Sequence, residues 1–230
     1  MEKKQTDIVA ALNVAEKVYA ALCEACKPGA TEDTLDAAVR LAADGHDLQY
    51  DLLTGPRTAQ IEGGATGRVL RRGDPVLLDL SLKAGEHWCD VCRVYFLGEA
   101  TPEAGNAYAV VRECHLMLAE LLQAGVPARA LYETALTFLA EHGLKGWVRH
   151  HAGHGIGMKP FQPPLLLPDS EDVLAAGDVI TVEIGVYNGQ AFGIRLEEDY
   201  RITHTGALGL WQAPLPLRET ILPWPEAAQA

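Results

Sequence analysis

The chain has 230 residues, a length suited to one large domain or two small ones, and 48% of them are hydrophobic, enough to build a core. Its 31 acidic residues outnumber 19 basic ones, and the formal charge of −12 argues against nucleic acid or an anionic membrane as partner, because phosphate would repel such a surface. No apolar run reaches the roughly 20 residues that span a bilayer, and Met1-Glu2-Lys3-Lys4-Gln5 lacks the apolar stretch of a signal peptide, so a cytoplasmic location is expected.

Residues 6–27 have the period of a helix, with Ile8, Ala11, Leu12, Ala15, Val18, Tyr19 and Leu22 at three- and four-residue steps and Pro28-Gly29 as the stop. Thr31 is the expected N-cap of a second helix to about Ala43, with Leu35, Ala38, Val39 and Ala42 on one face. Residues 47–72 are less regular, with Gly55-Pro56 and Gly63-Gly64, and suggest strand and loop. Strands are expected over 75–82 and 87–97 around a turn at Ala84-Gly85. Helices are expected over 102–124 and 128–142, a strand over 146–152, and a strand pair over 178–187 and 190–204 turned by Asn188-Gly189. The tail from Trp211 is Pro-rich and irregular.

The chain also echoes itself. Arg72-Gly73-Asp74-Pro75-Val76-Leu77-Leu78-Asp79 has the pattern of Ala176-Gly177-Asp178-Val179-Ile180-Thr181-Val182-Glu183. In both, a Gly-Asp turn leads into a strand that carries an acid six residues after the Gly. Each strand meets a hairpin partner with a second acid, Asp90 or Glu197. With two helices ahead of each strand pair, the chain reads as an α+β fold of two related ααββ halves, about 1–100 and 101–210, with paired acids on facing strands.

An acid within an apolar strand is costly unless it is paired or binds metal. Asp79 interrupts Val76-Leu77-Leu78 and Leu80, and Glu183 interrupts Ile180-Thr181-Val182 and Ile184. Taken singly, each could end a strand, accept hydrogen bonds or form half an ion pair; their recurrence is what points to metal. His154 sits among Gly153, Gly155 and Gly157, which let the backbone turn tightly and approach a ligand. Four carboxylates and one imidazole suit two divalent ions, and this donor set favours Mn, Co, Fe or Zn. Two such ions roughly 3.5–4 Å apart can share a hydroxide and polarise a carbonyl. Five cysteines are an odd number for a disulfide framework. The Cys23/Cys26 and Cys89/Cys92 pairs are too far apart in sequence for the usual zinc knuckle, and within helix and strand patterns they read as small buried hydrophobes.

Asp79 and Asp90, Gly153-His154-Gly155-Ile156-Gly157, Glu183 and Glu197 together resemble the five-ligand signature of the methionine aminopeptidase/prolidase/creatinase superfamily. Gly193-Ile194-Arg195-Leu196-Glu197-Glu198, and the run from Gly177 through Thr181, Glu183 and Gly185 to Tyr187, are similar to segments of its prolidase and aminopeptidase P branch. The resemblance covers nearly the whole chain. It implies a pita-bread fold, two pseudosymmetric ααββ halves around a curved antiparallel sheet, and hydrolysis of a small peptide or peptide-like amide by a metal-bridging hydroxide. It further implies that Asp90 and His154 each bind a single ion, that Asp79 chelates one, that Glu197 bridges the pair, and that Glu183 is both ligand and catalytic residue beside the attacking water. A homodimer is expected only by analogy with that branch.

The sequence departs from the family in three places. The branch's separate N-terminal domain is expected to be absent, since the pattern starts at the first helix. Phe161-Gln162 stands where the family has His-Glu after the glycine-caged His, and Glu62 stands at about the position of its other outer-shell His. A phenyl ring cannot donate a proton, and losing one donor to a developing oxyanion can cost on the order of 10²–10³ in rate. His150 is expected to support the pocket, and Arg195 to pair with a nearby acid or with a substrate carboxylate. Three readings follow: an Xaa-Pro-type metallohydrolase, a creatinase- or ectoine-hydrolase-like amidohydrolase acting on a small metabolite, and a catalytically weak relative that binds peptide or protein.

Overall fold

The computed structural model describes residues 2–212 and 214–225. Helix α1 (Glu2–Ala25) starts four residues earlier than its apolar period requires and buries every position of that stripe. The Tyr19 hydroxyl lies 2.9 Å from the Leu78 carbonyl and 2.8 Å from that of Val91, which ties α1 to two strands. Helix α2 (Glu32–Ala42) begins as expected at Thr31, whose hydroxyl accepts the Thr34 N–H at 3.3 Å while Thr31 N–H donates back to the Thr34 hydroxyl. That reciprocal cap satisfies two otherwise orphaned donors.

Strand β1 (Leu48–Thr54) runs into a 3-10 turn over Gly55–Gln60. Strands β2 (Pro75–Ala84) and β3 (His87–Leu97) form the first long hairpin, and helices α3 (Pro102–Leu121) and α4 (Ala128–Glu141) follow. Short strands β4 (His154–Gly155) and β5 (Gln162–Leu165) precede the second long hairpin, β6 (Val179–Asn188) and β7 (Phe192–Ile202). Strands β8 (Ala207–Gly209) and β9 (Ile221–Leu222) complete one sheet, ordered β1-β2-β3-β7-β6-β4-β5, with β8 on β7 and β9 on β3. All pairings are antiparallel except β9 with β3.

The sequence echo is an echo of hydrogen bonds. Gly73 and Gly177 both adopt positive φ (83° and 96°), where a side chain would strain the backbone. The Asp74 carboxylate accepts the Arg71 N–H and the Asp178 carboxylate accepts the Ala175 N–H, at 2.7 and 2.8 Å. Gly73 N–H donates to Leu97 and Gly177 N–H to Ile202, closing each hairpin onto its own start. Bridges Thr31–Val69 and Pro127–Val173 repeat the same tie ahead of α2 and α4. The molecule is therefore two pseudosymmetric ααββ halves around one antiparallel sheet, the pita-bread arrangement.

The helices cover one face of that sheet. Leu78 and Leu80, which flank Asp79, pack in the cluster built by α1 and α2, and Val182 and Ile184, which flank Glu183, pack in the cluster built by α3 and α4. Because neighbours on a strand point to opposite faces, both acids are turned to the face without helices.

Three expectations need correction. Residues 146–152 are not a strand: Lys145–Trp147 is a 3-10 turn and strand pairing begins only at His154. The Trp147 ring packs edge-on against Phe192, and Ala152 is held between Leu166 O and Glu183 N–H, so this stretch is fixed by scattered contacts, not a ladder. The second hairpin turns over three residues, Gly189 to Ala191, not two, with Ala191 N–H on Asn188 O at 2.8 Å and β7 starting at Phe192. The tail is not wholly irregular, since Leu217–Glu219 forms a 3-10 turn and β9 follows; part of it, Ala213 and residues 226–230, lies outside the described residues. Among the described residues no helix is long and apolar enough to cross a membrane.

Candidate metal centre

Strand register assembles the site. Asp51 on β1 faces Asp79 on β2, Asp79 faces Cys92 on β3, Cys92 faces Glu197 on β7, and Glu197 faces Glu183 on β6. Residues opposite one another share a face, so four acids and a small thiol form one row across five strands. Asp90 lies two residues from Cys92, which returns it to the same face. His154 reaches the row from β4, its Nε2 3.8 Å from Asp90 Oδ2 and 3.6 Å from Glu197 Oε1. A Cβ on Gly153 would lie 2.2 Å from the Thr181 carbonyl oxygen, so only glycine lets the chain approach β6 this closely ahead of His154.

Ligating atoms of Asp90, His154 and Glu197 all lie within 4.8 Å of one another, as do those of Asp79, Glu183 and Glu197. Glu197 belongs to both groups. Arg195 enters the row between them: its Nη2 is 2.9 Å from Asp79 Oδ2, its Nη1 is 3.7 Å from Glu183 Oε1, and its Nη2 also donates to Ile61 O at 3.0 Å. Of the two expected roles, the ion pair with an acid is the one this geometry contains.

The electrostatics are those of a site built around cations. Burial pushes Asp90 well above the carboxylate range, with Asp79 and Asp199 adding repulsion. Burial, then Asp90 and Glu183, do the same to Glu197, whose Oε1 is buried without a partner. Asp79 rises to about 6, first through burial and against the pull of Arg195. Glu183 is held below its ordinary value, because His150, His151 and Arg195 outweigh the effect of burial. His154 is lowered by burial and is neutral. The Gly155 carbonyl accepts a hydrogen bond from Nδ1–H at 3.1 Å, which assigns the lone pair to Nε2, facing two carboxylate oxygens. Such an arrangement supplies the donors to hold a cation. Hard oxygens and one imidazole nitrogen therefore fit divalent metal.

The pattern of metallopeptidase family M24 matches residues 7–204. The chain belongs to that family. Among M24 relatives it is 28% identical over 211 residues to the Xaa-Pro dipeptidase of Pyrococcus horikoshii, covering 90% of this chain and 60% of that protein. It is 29% identical over 222 residues to a protein named "Probable dipeptidase PepE" of Mycobacterium tuberculosis, covering 93% of this chain and 59% of that one. The crystal structure of dipeptidase PepE from Mycobacterium ulcerans superposes with a TM-score of 0.89 at 26% identity, over 97% of this chain and 61% of that one. This M24 chain thus spans about three fifths of the length of the relatives it matches.

All five sequence-expected ligand residues of the M24 chain come together. The outer-shell expectations divide. Glu62 lines the cavity in front of the row, together with Asp51 and Ser81. His150 sits behind Glu183, its Nδ1 on the His151 carbonyl and its Nε2 on the Tyr187 hydroxyl, both at 2.8 Å. With both nitrogens engaged it has no lone pair left for an ion, although it lies beside His151 and Glu183 in a cluster of donors. Phe161 does not line the cavity but stacks on the His154 ring, centroids 4.5 Å apart. Sequence reasoning missed Asp51, which has Leu52 and Leu53 after it but only the mixed Leu48-Gln49-Tyr50 before it, where Asp79 interrupts an apolar run. His151, next to His150 ahead of the glycine-caged His, places its Nδ1 3.2 Å from Glu183 Oε2 and its ring against Phe161. The cysteines behave as small buried groups: all five are free, and among the described residues none joins a cluster able to hold metal.

Proposed function

We propose that the chain is the catalytic unit of a dinuclear metallohydrolase of the Xaa-Pro dipeptidase/aminopeptidase P type, acting on a small peptide or peptide-like amide. The observation that carries this reading is the row of carboxylates with Glu197 common to two donor clusters. Asp79, Glu183 and Glu197 would hold one divalent ion and Asp90, His154 and Glu197 the other. When bound, such a pair supplies Lewis acidity at the scissile carbonyl and lowers the pKa of water.

The protein's own residues do the remaining work. The Glu183 carboxylate would take the proton of the attacking water and return it to the leaving nitrogen, a role suited to a carboxylate held below its ordinary pKa beside Arg195. Arg195 fixes Asp79 and Glu183 in one geometry. Phe161 and His151 pack around His154 and keep water off that side of the ring. The identity of the relatives as dipeptidases supports a peptide bond next to proline as the first substrate class to assay.

The test is direct. Purified chain with Mn²⁺ or Co²⁺ should hold two ions by elemental analysis and cleave Xaa-Pro dipeptides or their amides, with activity abolished by a chelator. Bound metal without turnover across a broad peptide and amide panel would remove the hydrolase reading.

A further inference from the structure

Strands β3 and β7 form the seam between the two halves, and among the described residues they pair at one position, Cys92 with Glu197. Each long hairpin, by contrast, is in register along its whole length. The seam has almost no ladder to fix the distance between its strands. Yet Asp90 stands on one side of it and Glu197 on the other, and His154 Nε2 faces both.

Two side chains take the place of the missing rungs. Extending the register by two residues sets Asp90 against Asp199, but no ladder pair forms there. The Asp199 carboxylate fills the gap, its Oδ2 accepting the Asp90 N–H at 3.1 Å. Arg93 and Glu198 each follow a member of the seam pair and so point to the face that the helices cover. Arg93 Nη1 donates to the Cys92 and Glu197 carbonyls, both at 3.2 Å, so one guanidinium spans the two strands at their single rung. Its Nη2 pairs with Glu198 and donates to Gln212 O at 3.1 Å, and its Cζ lies 4.4 Å from the centre of the Trp211 ring.

Stability alone does not account for either group. Asp199 and Arg93 are fully buried, and Asp199 Oδ1 and Arg93 Nε have no partner. Burying charged groups with part of their hydrogen-bonding capacity unmet costs free energy. What both side chains do is local: across the seam, one holds the backbone of Asp90 and the other that of Glu197. Hydrogen-bonded support of this kind orients a metal ligand and is worth about 10- to 100-fold in affinity.

We propose that Arg93 and Asp199 are positioning residues for the metal pair, setting the separation of Asp90 and Glu197 across the seam. The inference rests on the dinuclear reading and adds an asymmetry to it. Asp199 supports Asp90 alone, hence only the ion of the Asp90, His154 and Glu197 cluster. Arg93 supports Glu197, which is common to both clusters.

Calorimetric titration of the metal-free full chain with Mn²⁺, and electron paramagnetic resonance of the loaded protein, test this. The parent should take up two ions and show the signal of an exchange-coupled Mn²⁺ pair. Asp199→Ala should keep one ion at parental affinity, bind the other about 10- to 100-fold more weakly, and lose the coupled signal. Asp199→Asn, whose amide oxygen can still accept the Asp90 N–H, should restore both. Arg93→Lys replaces a planar fork by one ammonium and should weaken both ions. Leu118→Ala, in the core on α3, controls for lost stability and should keep both ions and the coupled signal. If Asp199→Ala does not fold, Asp199→Val, which fills the space without an acceptor, takes its place with the same expected loss. Parental affinities in the Asp199 and Arg93 variants, or an equal loss in Leu118→Ala, would overturn the positioning roles and leave the dinuclear reading intact. A parent that takes up no pair of ions would end both.

Discussion

Glu197 concentrates the residue-scale conflict. It is 1% exposed, one of its oxygens has no partner, and burial together with Asp90 and Glu183 disfavours its charge. Removing one member of a repelling buried set stabilises the metal-free fold, whereas removing a ligand weakens metal binding. Glu197→Gln should therefore raise the melting temperature in chelator and shrink the rise caused by Mn²⁺, which at 100 times Kd would be worth about 2.7 kcal/mol in the parent. Thermal melts with and without metal check this; a variant that gains as much from Mn²⁺ as the parent would remove Glu197 from the metal site. The candidate ligands were legible at this scale because an ionisable group inside an apolar strand is conspicuous in one dimension. Asp51 was not, since Leu48-Gln49-Tyr50 ahead of it reads as ordinary mixed surface. The free carboxylate of Glu62 was not either, because lacking a partner is a property of neighbours.

Elements were read well where their signals are local. The α1 stripe, the Thr31 cap and the Gly-Asp turns depend on residues within a few positions of each other, and all three appear in the structure. The failure at 146–152 has the opposite cause. Its composition suits a strand, but Gly153 must pass within contact of the Thr181 backbone, and the pairing it could have made is taken by His154 and Gly155. Gly153→Ala would drive a methyl group into that carbonyl at 2.2 Å from a φ of 144°. A cost of about 2–4 kcal/mol is expected, since backbone on both sides blocks relief. Denaturant unfolding measures it, and a loss under 1 kcal/mol would show that β4 and β6 can separate freely.

At the scale of the whole molecule, the second half responds to acid through His115. This side chain is fully buried on α3, its Nε2 is 2.9 Å from the Tyr200 hydroxyl on β7, and burial lowers its pKa to about 3. In the unfolded chain an imidazole titrates near 6.5. Between those values the unfolded chain takes up a proton that the folded chain does not, so stability is complete above pH 6.5 and falls as the pH falls through the window. At pH 5 the loss from this group is about 2 kcal/mol. His115→Gln cannot titrate, so its denaturation midpoint should move less between pH 7 and pH 5 than that of the parent; parallel shifts would assign the acid sensitivity elsewhere.

The division between sequence and structure follows from how far apart the determining residues lie. The helices, the two long hairpins, the internal echo and the identity of Asp79, Asp90, His154, Glu183 and Glu197 were all present in the sequence, because periodicity, turn chemistry and misplaced charge act over a few residues. Only the tertiary structure decided that β3 and β7, more than a hundred positions apart, pair through Cys92 and Glu197, and that single register joins the acids of one half to those of the other. It also decided that Arg195 is consumed by Asp79 and Ile61 while Glu62 is left unpaired. Pairing and its absence depend on which distant side chains reach the same few ångströms, and no local pattern records that.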